Sequence, residues 1–357
     1  MLHDVEAVVL VGGKGTRLRP LTLSAPKPML PTAGVPFLAH LLSRVREAGV
    51  RRVVLGTSYL AETFSDHFGD GSSMGLEIEY VVENEPLGTG GGIRNVVKHL
   101  SANDVLVFNG DVLAGTDLTA VVDTHRRTRA DATLHLVRVQ DPRAFGCVPT
   151  DDDGRVTAFL EKTEDPPTDQ INAGCYVFRR EVIDQIPAGR RVSVERETFP
   201  GLIEAGALVM GYHESAYWLD VGTPQAFVRG SCDLVLGRLP GPAVPGPHGP
   251  ALALADARVA DDADVSGGTV VGVGASVGGG ATVFGSVLFD GAAVGEGAVV
   301  RDSILGRGAI VAPGAELHDA VIGDEAYIGA GNELARGIRV WPGTRLEPTS
   351  VRFSSDV

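Results

Sequence analysis

Cysteine is scarce in this chain of 357 residues, which contains only Cys147, Cys175 and Cys232. They are odd in number, lie far apart and match neither a CxxC nor a Cys/His spacing. This pattern argues against a disulfide framework and against a structural zinc site. We expect Cys147 and Cys175 to be small core residues.

Basic charge is also in deficit, because 45 acidic residues outweigh 31 basic ones and leave a net charge of −14. That balance argues against nucleic acid and against anionic membrane surfaces as partners. The first residues, MLHDVEAVVLVGG, have no basic leader and place acids beside a short apolar run. We therefore predict no signal peptide, no spanning helix and a cytoplasmic protein. The length favours two domains, and 44% hydrophobic residues can fill sizeable cores.

Lysine is the rarest charged residue, with four lysines among the 31 basic residues. Three of the four, Lys14, Lys27 and Lys162, fall in motifs described below, and the fourth is Lys98. A chain that uses arginine elsewhere indicates a need for a compact ammonium at these points, because the planar guanidinium fits ligands differently.

The glycine-rich stretch from Val11 to Pro20, VGGKGTRLRP, follows a β-branched apolar run that predicts a buried strand. Gly12, Gly13 and Gly15 allow a ligand to approach the backbone N–H groups closely, which suits phosphates. The spacing fits neither a dinucleotide fingerprint, which needs a glycine where Leu18 stands, nor a P-loop, which needs Ser or Thr after Gly-Lys. The loop is therefore a phosphate-binding candidate of another kind.

Downstream patterns predict a parallel α/β sheet. FLAHLLSRVREAG places its apolar residues on one helical face, and VRRVVLGT predicts the next strand. Strands alternating with a helix through short connections imply a parallel sheet covered by helices. DVLVFNGDV is an apolar strand followed by Asp111, which should lie at the ligand-binding edge of such a sheet.

The last third of the chain has a different composition. From about Val259, aliphatic residues recur every six positions, with glycine and small residues between them. This period predicts a parallel β-helix, with interruptions near Phe284 and His318. The Pro/Gly-rich stretch GRLPGPAVPGPHGP precedes it as a linker. We predict a catalytic domain at 1–236, the linker at 237–254, the repeats at 255–350 and a tail at 351–357.

Eight short motifs identify a family. GGKGTRLRPLT, PKPMLP, EPLGTGG, FNGD, FGCV, EKTE, INAG and WLDVGTP stand here in the order found in sugar-1-phosphate nucleotidylyltransferases. The first two thirds of the chain resemble that family. The resemblance implies a Rossmann-like nucleotidyltransferase domain with a mainly parallel sheet, followed by a left-handed parallel β-helix.

The resemblance also implies roles for particular residues. The nucleotide would be bound by Leu10, Gly12, Gly13, Lys14, Gly15, Thr16, Arg17, Lys27, Glu83, Gly88, Thr89 and Asp111. The sugar phosphate would be bound by Gly146, Glu161, Lys162 and Asn172. The catalytic set would be Arg17, Lys27, Lys162, Asp111 and Asp220, with the two aspartates holding one Mg²⁺ against the phosphates. Few, hard oxygen ligands completed by phosphates are what Mg²⁺ prefers.

The chemistry of Glu83 favours guanine. One carboxylate can accept from both the ring N1–H and the exocyclic amine of guanine, whereas uracil and thymine place a donor between acceptors and suit an amide. Together with the resemblance, this predicts transfer of GMP from GTP to α-D-mannose 1-phosphate, giving GDP-mannose and pyrophosphate. The attack would be in line and without a covalent intermediate, so the enzyme would position the substrates and neutralise charge.

Other readings stay open at this point. The substrates could be those of a heptose-1-phosphate guanylyltransferase, or of a glucose-1-phosphate uridylyl- or thymidylyltransferase. A silent regulatory subunit is disfavoured because the catalytic set is retained. A second, acyl-transferring activity is disfavoured because His318 is the lone histidine in a short repeat region. We expect the repeats to serve homo-oligomer assembly.

Overall fold

The computed structural model describes residues 1–58 and 60–352, so most of the predicted tail at 351–357 lies outside the described residues. The chain divides into two compact units. The first comprises Met1–Gly13 and Leu41–Trp218, and the second comprises Lys14–His40 and Leu219–Val357. The domain boundaries given above stay predictions.

The region before the repeats contains thirteen described strands and seven α-helices. The strands are β1 (Glu6–Leu10), β2 (Pro31–Thr32), β3 (Val35–Pro36), β4 (Arg52–Thr57), β5 (Glu77–Val82), β6 (Asp104–Asn109), β7 (Val112–Ala114), β8 (Ala132–Arg138), β9 (Gly146–Cys147), β10 (Leu160–Glu161), β11 (Gln170–Arg179), β12 (Val209–His213) and β13 (Trp218–Asp220). The helices are α1 (Phe37–Glu47), α2 (Glu62–Phe68), α3 (Gly88–Val96), α4 (Leu118–Thr128), α5 (Arg180–Gln185), α6 (Phe199–Glu204) and α7 (Pro224–Val235). A π-helical turn spans Val194–Thr198.

The first unit is built on a nine-stranded sheet with the order β10-β9-β11-β6-β1-β4-β5, in which β8 pairs with β11 and β12 pairs with β8. Strands β6, β1, β4 and β5 are parallel neighbours, as the sequence pattern predicts. Strand β11 runs antiparallel to β6, β8 and β9. The parallel half therefore carries the glycine loop, and the antiparallel half carries the motifs assigned to the sugar.

The core of this unit lies where the parallel strands meet the antiparallel ones. Val8, Val54 and Val107 are fully buried in one cluster with Tyr176 and Phe199. Burial of such β-branched strands on both faces is typical of parallel sheets, which explains their continuous apolar runs. The predicted burial of Cys147 and Cys175 is confirmed, and Cys232 is buried as well.

The second unit contains three parallel sheets made of short strands. Their strands are β14 (Ala251–Ala253), β15 (Arg258–Val259), β16 (Asp264–Ser266), β17 (Thr269–Val271), β18 (Ser276–Val277), β19 (Thr282–Phe284), β20 (Val287–Leu288), β21 (Ala293–Val294), β22 (Val299–Arg301), β23 (Ile304–Leu305), β24 (Ile310–Val311), β25 (Glu316–His318), β26 (Val321–Ile322), β27 (Tyr327–Ile328), β28 (Glu333–Leu334), β29 (Arg339–Val340) and β30 (Arg345–Leu346). Every third strand joins the same sheet. This arrangement is the predicted left-handed parallel β-helix.

The interruptions predicted near Phe284 and His318 are changes of register. Val287 pairs with Ile304 and Ile304 with Val321, so each of these coils takes 17 residues and not three full hexads of 18. Phe284 and His318 end the three-residue strands β19 and β25 inside such coils. The interior remains continuous because Leu288, Leu305 and their equivalents stack in one buried cluster.

Candidate active site

Gly12 and Gly13, the first two glycines of the loop, follow the end of β1 after one intervening residue in the first unit. The Val11 N–H donates to the Gly56 carbonyl at 3.0 Å, and the Gly13 N–H donates to Ser58 Oγ at 3.4 Å. A β-carbon on Gly12 would stand 3.1 Å from Ser58 Oγ, and Gly13 has φ +121°. The loop therefore lies beside the carboxyl end of β4, the edge at which open parallel sheets bind ligands.

Glu83 comes directly after β5 at the same edge. Its N–H donates to the Thr57 carbonyl at 2.8 Å, and its Oε2 accepts from the Leu87 N–H at 3.3 Å. Burial raises the pKa of this carboxyl, and the Leu87 contact opposes the rise. A β-carbon on Gly92 would stand only 2.6 Å from Glu83 Oε1. Gly92 thus lets the carboxylate lie against α3.

Gly88 and Thr89 belong to the start of helix α3. The helix begins at Gly88, inside the EPLGTGG motif. Gly88 has φ +71°, and a β-carbon there would stand 2.6 Å from the Val192 carbonyl oxygen. That oxygen accepts from the N–H groups of the next two glycines. The glycine run therefore allows α3 to pack closely against Val192. Residue types alone do not distinguish this packing role from the predicted ligand access.

Asp111 follows β6 in the Asn-Gly-Asp turn. The Gly110 N–H donates to the Leu10 carbonyl at 3.0 Å, and a β-carbon on Gly110 would stand 2.7 Å from that oxygen. The turn consequently lies against the start of the glycine loop. Asp111 therefore stands just beyond the carboxyl end of β6, and its role in ligand binding stays a prediction.

The residues assigned to the sugar phosphate lie on β9, β10 and β11 or, for Lys162, directly after β10. Gly146 is the direct antiparallel partner of Glu161. Strand β10 ends at Glu161, and Lys162 has φ +55°, so the chain turns there. Lys162 Nζ stands 3.7 Å from Glu161 Oε1, and the Lys162 N–H donates to the Phe145 carbonyl. Two residues that would point apart on a continuous strand are thus brought together.

Asn172 stands at the start of an irregular stretch of β11. The register of β11 against β8 shifts between Asn172 and Tyr176. Its Nδ2 donates to the Tyr176 hydroxyl at 2.7 Å, and its Oδ1 accepts from the Gly174 N–H at 3.1 Å. Tyr176 is fully buried, which raises the pKa of its hydroxyl well above the usual value. Asn172 is therefore held by a buried group and has a fixed orientation.

The remaining candidates belong to the second unit. A β-carbon on Gly15 would stand 3.1 Å from Lys27 Cβ, and Thr22 Oγ1 donates to the Gly15 carbonyl at 2.9 Å. Three of these residues are exposed: Lys14, Thr16 and Arg17. Lys27 is buried, with 9% of its surface exposed. Gly15 and Lys27 are thus neighbours, although they are twelve positions apart in the sequence.

Arg17 lies against the motif that contains Asp220. Asp220 ends β13, and a β-carbon on Gly222 would stand 2.8–3.0 Å from the nitrogens and central carbon of the Arg17 guanidinium. The absence of a side chain at Gly222 makes room for this cation. The structure therefore brings Arg17 beside the WLDVGTP segment.

Comparison with known proteins identifies the family. Residues 6–235 match the family model described as Nucleotidyl transferase, and residues 250–338 match the model described as GlmU-like, C-terminal hexapeptide. The chain belongs to the nucleotidyl transferase family. The predicted enzyme class and fold are confirmed.

Three relatives of this nucleotidyltransferase are informative. A protein of Mycobacterium tuberculosis described as mannose-1-phosphate guanylyltransferase is 64% identical over 356 residues, which cover 99% of each chain. A UTP–glucose-1-phosphate uridylyltransferase of Synechocystis is 31% identical over 322 residues, 80% of this chain and 83% of the relative. The crystal structure of HddC from Yersinia pseudotuberculosis complexed with GMP-PN is 30% identical, with a TM-score of 0.56, and covers 63% of this chain and 97% of its own.

Sequence reasoning missed two charged residues near the sugar motifs. Glu195 and Arg196 lie in the π-helical turn, and Glu195 Oε2 accepts from Thr89 Oγ1 at 2.6 Å. Burial and the Glu195 charge raise the pKa of Glu161, while Lys162 and Arg196 lower it. The sequence did hold one signal for these residues. The charged stretch VERE lies between apolar residues and has the period of neither a strand nor a helix.

No helix among the described residues is long and apolar enough to cross a membrane.

Proposed function

We propose that this nucleotidyltransferase transfers GMP from GTP to α-D-mannose 1-phosphate, giving GDP-mannose and pyrophosphate. The observation that carries the proposal is the 64% identity, over 99% of both chains, to a protein described as mannose-1-phosphate guanylyltransferase. The position of Glu83 at the ligand edge, with an acceptor pair suited to guanine, supports the choice of base.

A uridylyl transfer to glucose 1-phosphate is the second candidate, because the Synechocystis relative also spans most of the chain. One assay separates the two. Pyrophosphate release is measured with four nucleoside triphosphates against mannose, glucose and heptose 1-phosphates. The highest kcat/KM should belong to GTP with mannose 1-phosphate, and a preference for UTP with glucose 1-phosphate would replace the proposal by the alternative.

On the nucleotide side, we propose that the backbone of Leu10, Gly12, Gly13, Gly15 and Thr16 approaches the triphosphate and that Lys14 adds charge. Arg17 and Lys27 would balance the charge of the departing pyrophosphate. Gly88 and Thr89, at the start of α3, would contact the base or ribose beside Glu83. Electrostatic groups fixed before the reaction stabilise developing charge without reorganisation. The burial of Lys27 and the packing of Arg17 on Gly222 suit such fixed positions.

We propose Asp111 and Asp220 as the ligands of one Mg²⁺. Both side chains are half-buried carboxylates at strand ends, and such oxygen donors fit Mg²⁺ when phosphates complete its octahedron. Within residues 1–58 and 60–352, no group of three or more His, Cys, Asp or Glu could hold a metal ion. A two-carboxylate site therefore depends on the nucleotide for its other ligands. The bound ion would neutralise phosphate charge.

On the sugar side, we propose that the Gly146 backbone, Glu161 and Asn172 bind hydroxyl groups and that Lys162 holds the phosphate. The Glu161 carboxylate and the Lys162 ammonium are 3.7 Å apart, so one face offers an acceptor and a cation together. A phosphate oxygen then attacks the α-phosphorus in line, and pyrophosphate leaves. No strong base is needed, because the attacking phosphate is already ionised near neutral pH.

Replacing Glu83 with glutamine tests base recognition. The variant exchanges one acceptor for a donor that faces a guanine donor, so GTP binding should weaken by about 1 to 3 kcal/mol and UTP use should rise. Burial raises the pKa of Glu83. The KM of the parent for GTP should therefore also rise as the pH falls toward this raised pKa, because a protonated carboxyl accepts less well. The glutamine variant should lack this rise.

The matched control is Glu85→Gln, an exposed carboxylate two residues away. It should leave the KM for GTP and the GTP/UTP preference within twofold of the parent. An unchanged GTP preference of Glu83→Gln in direct competition would assign base reading to the backbone near Gly88.

We propose that the β-helix also supports a homo-oligomer. Ile310 is 44% exposed in an outward column of β24, between Ala293 and Tyr327 of the neighbouring coils. Light scattering of the full chain should give a multiple of 37.2 kDa, and Ile310→Arg should lower it. Val273→Arg, at an exposed aliphatic outside that sheet, is the control. A monomeric full-length protein would end this proposal.

The cytoplasmic location and the absence of nucleic-acid and membrane partners stay predictions.

A further inference from the structure

The segment Lys14–His40 groups with the β-helix in the second unit. This segment carries Arg17 and Lys27, the two cations assigned above to the triphosphate. Its apolar residues Leu18 and Leu21 are buried. The repeats therefore have direct neighbours in the segment that bears the catalytic cations, in addition to any role in assembly.

Arg339 forms the first contact between them. It occupies the outward column of one β-helix sheet, whose preceding members are aliphatic and buried: Leu252, Val270, Val287, Ile304 and Val321. Arg339 is exposed, and its Nη1 donates to the Arg19 carbonyl at 2.9 Å. A cation thus follows five aliphatics in the column and binds the backbone two residues after Arg17.

Asp324 forms the second contact. Its Oδ1 accepts from the Arg307 N–H at 2.9 Å, which ties the carboxylate to the preceding coil. Its Oδ2 accepts from Ser24 Oγ, also at 2.9 Å. One oxygen is therefore fixed by the β-helix while the other holds the segment, three residues before Lys27.

Both contacts lie on the turns between Arg17 and Lys27, at Arg19 and at Ser24. Between the two contacts, the Thr22 hydroxyl donates to the Gly15 carbonyl, and Gly15 packs against Lys27 Cβ. A shift at either contact is consequently passed to the cations through short, packed turns. Displacements of about 1 Å are enough to weaken catalysis by a positioned group.

We propose that Arg339 and Asp324 are positioning residues that hold Arg17 and Lys27 in place, so that the β-helix supports catalysis within its own chain. The kinetic part of this inference rests on the proposed function. The contact part does not, because it concerns only the order of the segment.

Arg339→Ala and Ser24→Ala remove one partner of each contact while leaving the β-helix hydrogen bonds intact. In both variants the amides of residues 14–30 should exchange with deuterium faster than in the parent. The KM for GTP should rise about fivefold, which is the size expected for one hydrogen bond, while the KM for mannose 1-phosphate stays within twofold. Arg339→Lys should restore the KM because an ammonium can also donate to the Arg19 carbonyl.

Arg345→Ala is the matched control, since Arg345 is an exposed arginine of β30 whose Nε lies 3.2 Å from Glu347. It should change neither exchange nor KM. Unchanged exchange in both test variants, or faster exchange with all kinetic constants within twofold, would overturn the inference. If the parent turns over another substrate pair, the proposed function fails, and the same constants are measured for the pair that it uses.

Discussion

Asp111→Asn and Asp220→Asn should each lower kcat by about 10² or more while the protein stays folded. Asparagine keeps the size of the side chain and one oxygen, so the packing of both half-buried residues is preserved. It removes the negative charge, and a carbonyl oxygen is a poorer Mg²⁺ ligand than a carboxylate. The measurement is pyrophosphate release at increasing Mg²⁺, together with thermal unfolding of each variant.

The loss should depend on Mg²⁺ concentration, with half-saturation moved to higher concentrations in both variants. Asp123→Asn, an exposed carboxylate of α4, controls for a general loss of negative charge and should behave like the parent. Turnover near the parental rate in either test variant would remove that aspartate from the proposed metal site. A variant that lost its thermal transition would instead point to a structural role.

The parallel half of the first unit could be predicted because its signals are local. Each of β1, β4 and β6 is a short apolar run bounded by glycine or a polar turn, and both faces of such strands are buried. The position of Asp111 followed from the end of β6, since the carboxyl ends of parallel strands share one edge.

The antiparallel half of the first unit was harder to predict from the sequence, because its geometry depends on pairings between distant residues. The strand end at Glu161 has a local signal, because the turn-forming stretch TEDPPTD follows it closely. The partnership of Gly146 with Glu161, and the bond of Asn172 to buried Tyr176, arise from antiparallel strands that no periodicity reveals. Glu195 was missed for the same reason, because its relation to Thr89 joins residues 106 positions apart.

The β-helix shows the same limit. Its hexads are visible in the sequence because each coil repeats the same buried position. Its contacts with the glycine-loop segment are not, because Ser24 and Asp324 are 300 positions apart and Arg19 and Arg339 are 320 apart. Repeat composition therefore predicted assembly as the function of the β-helix and gave no sign of support for Arg17 and Lys27.

Lys162→Arg should lower kcat/KM for mannose 1-phosphate by at least about tenfold, or roughly 1.4 kcal/mol. Lys162 has φ +55°, a conformation that costs lysine and arginine alike, so the comparison isolates the head group. The ammonium lies 3.7 Å from Glu161 and is a point charge that can hold the phosphate while one oxygen remains free to attack. A guanidinium fork would bind two oxygens at once, or pair with the Glu161 carboxylate, and displace the nucleophile.

Lys98→Arg is the matched control, because Lys98 is exposed in the turn Val97–His99 that follows α3. Arginine suits that surface as well as lysine does, so kcat/KM should stay within about twofold of the parent. The KM for GTP should be unchanged in both variants, which separates the sugar-phosphate role of Lys162 from a loss of folded enzyme. If the two variants had the same kcat/KM for mannose 1-phosphate, Lys162 would lose its proposed role and the scarcity of lysine would carry no functional meaning.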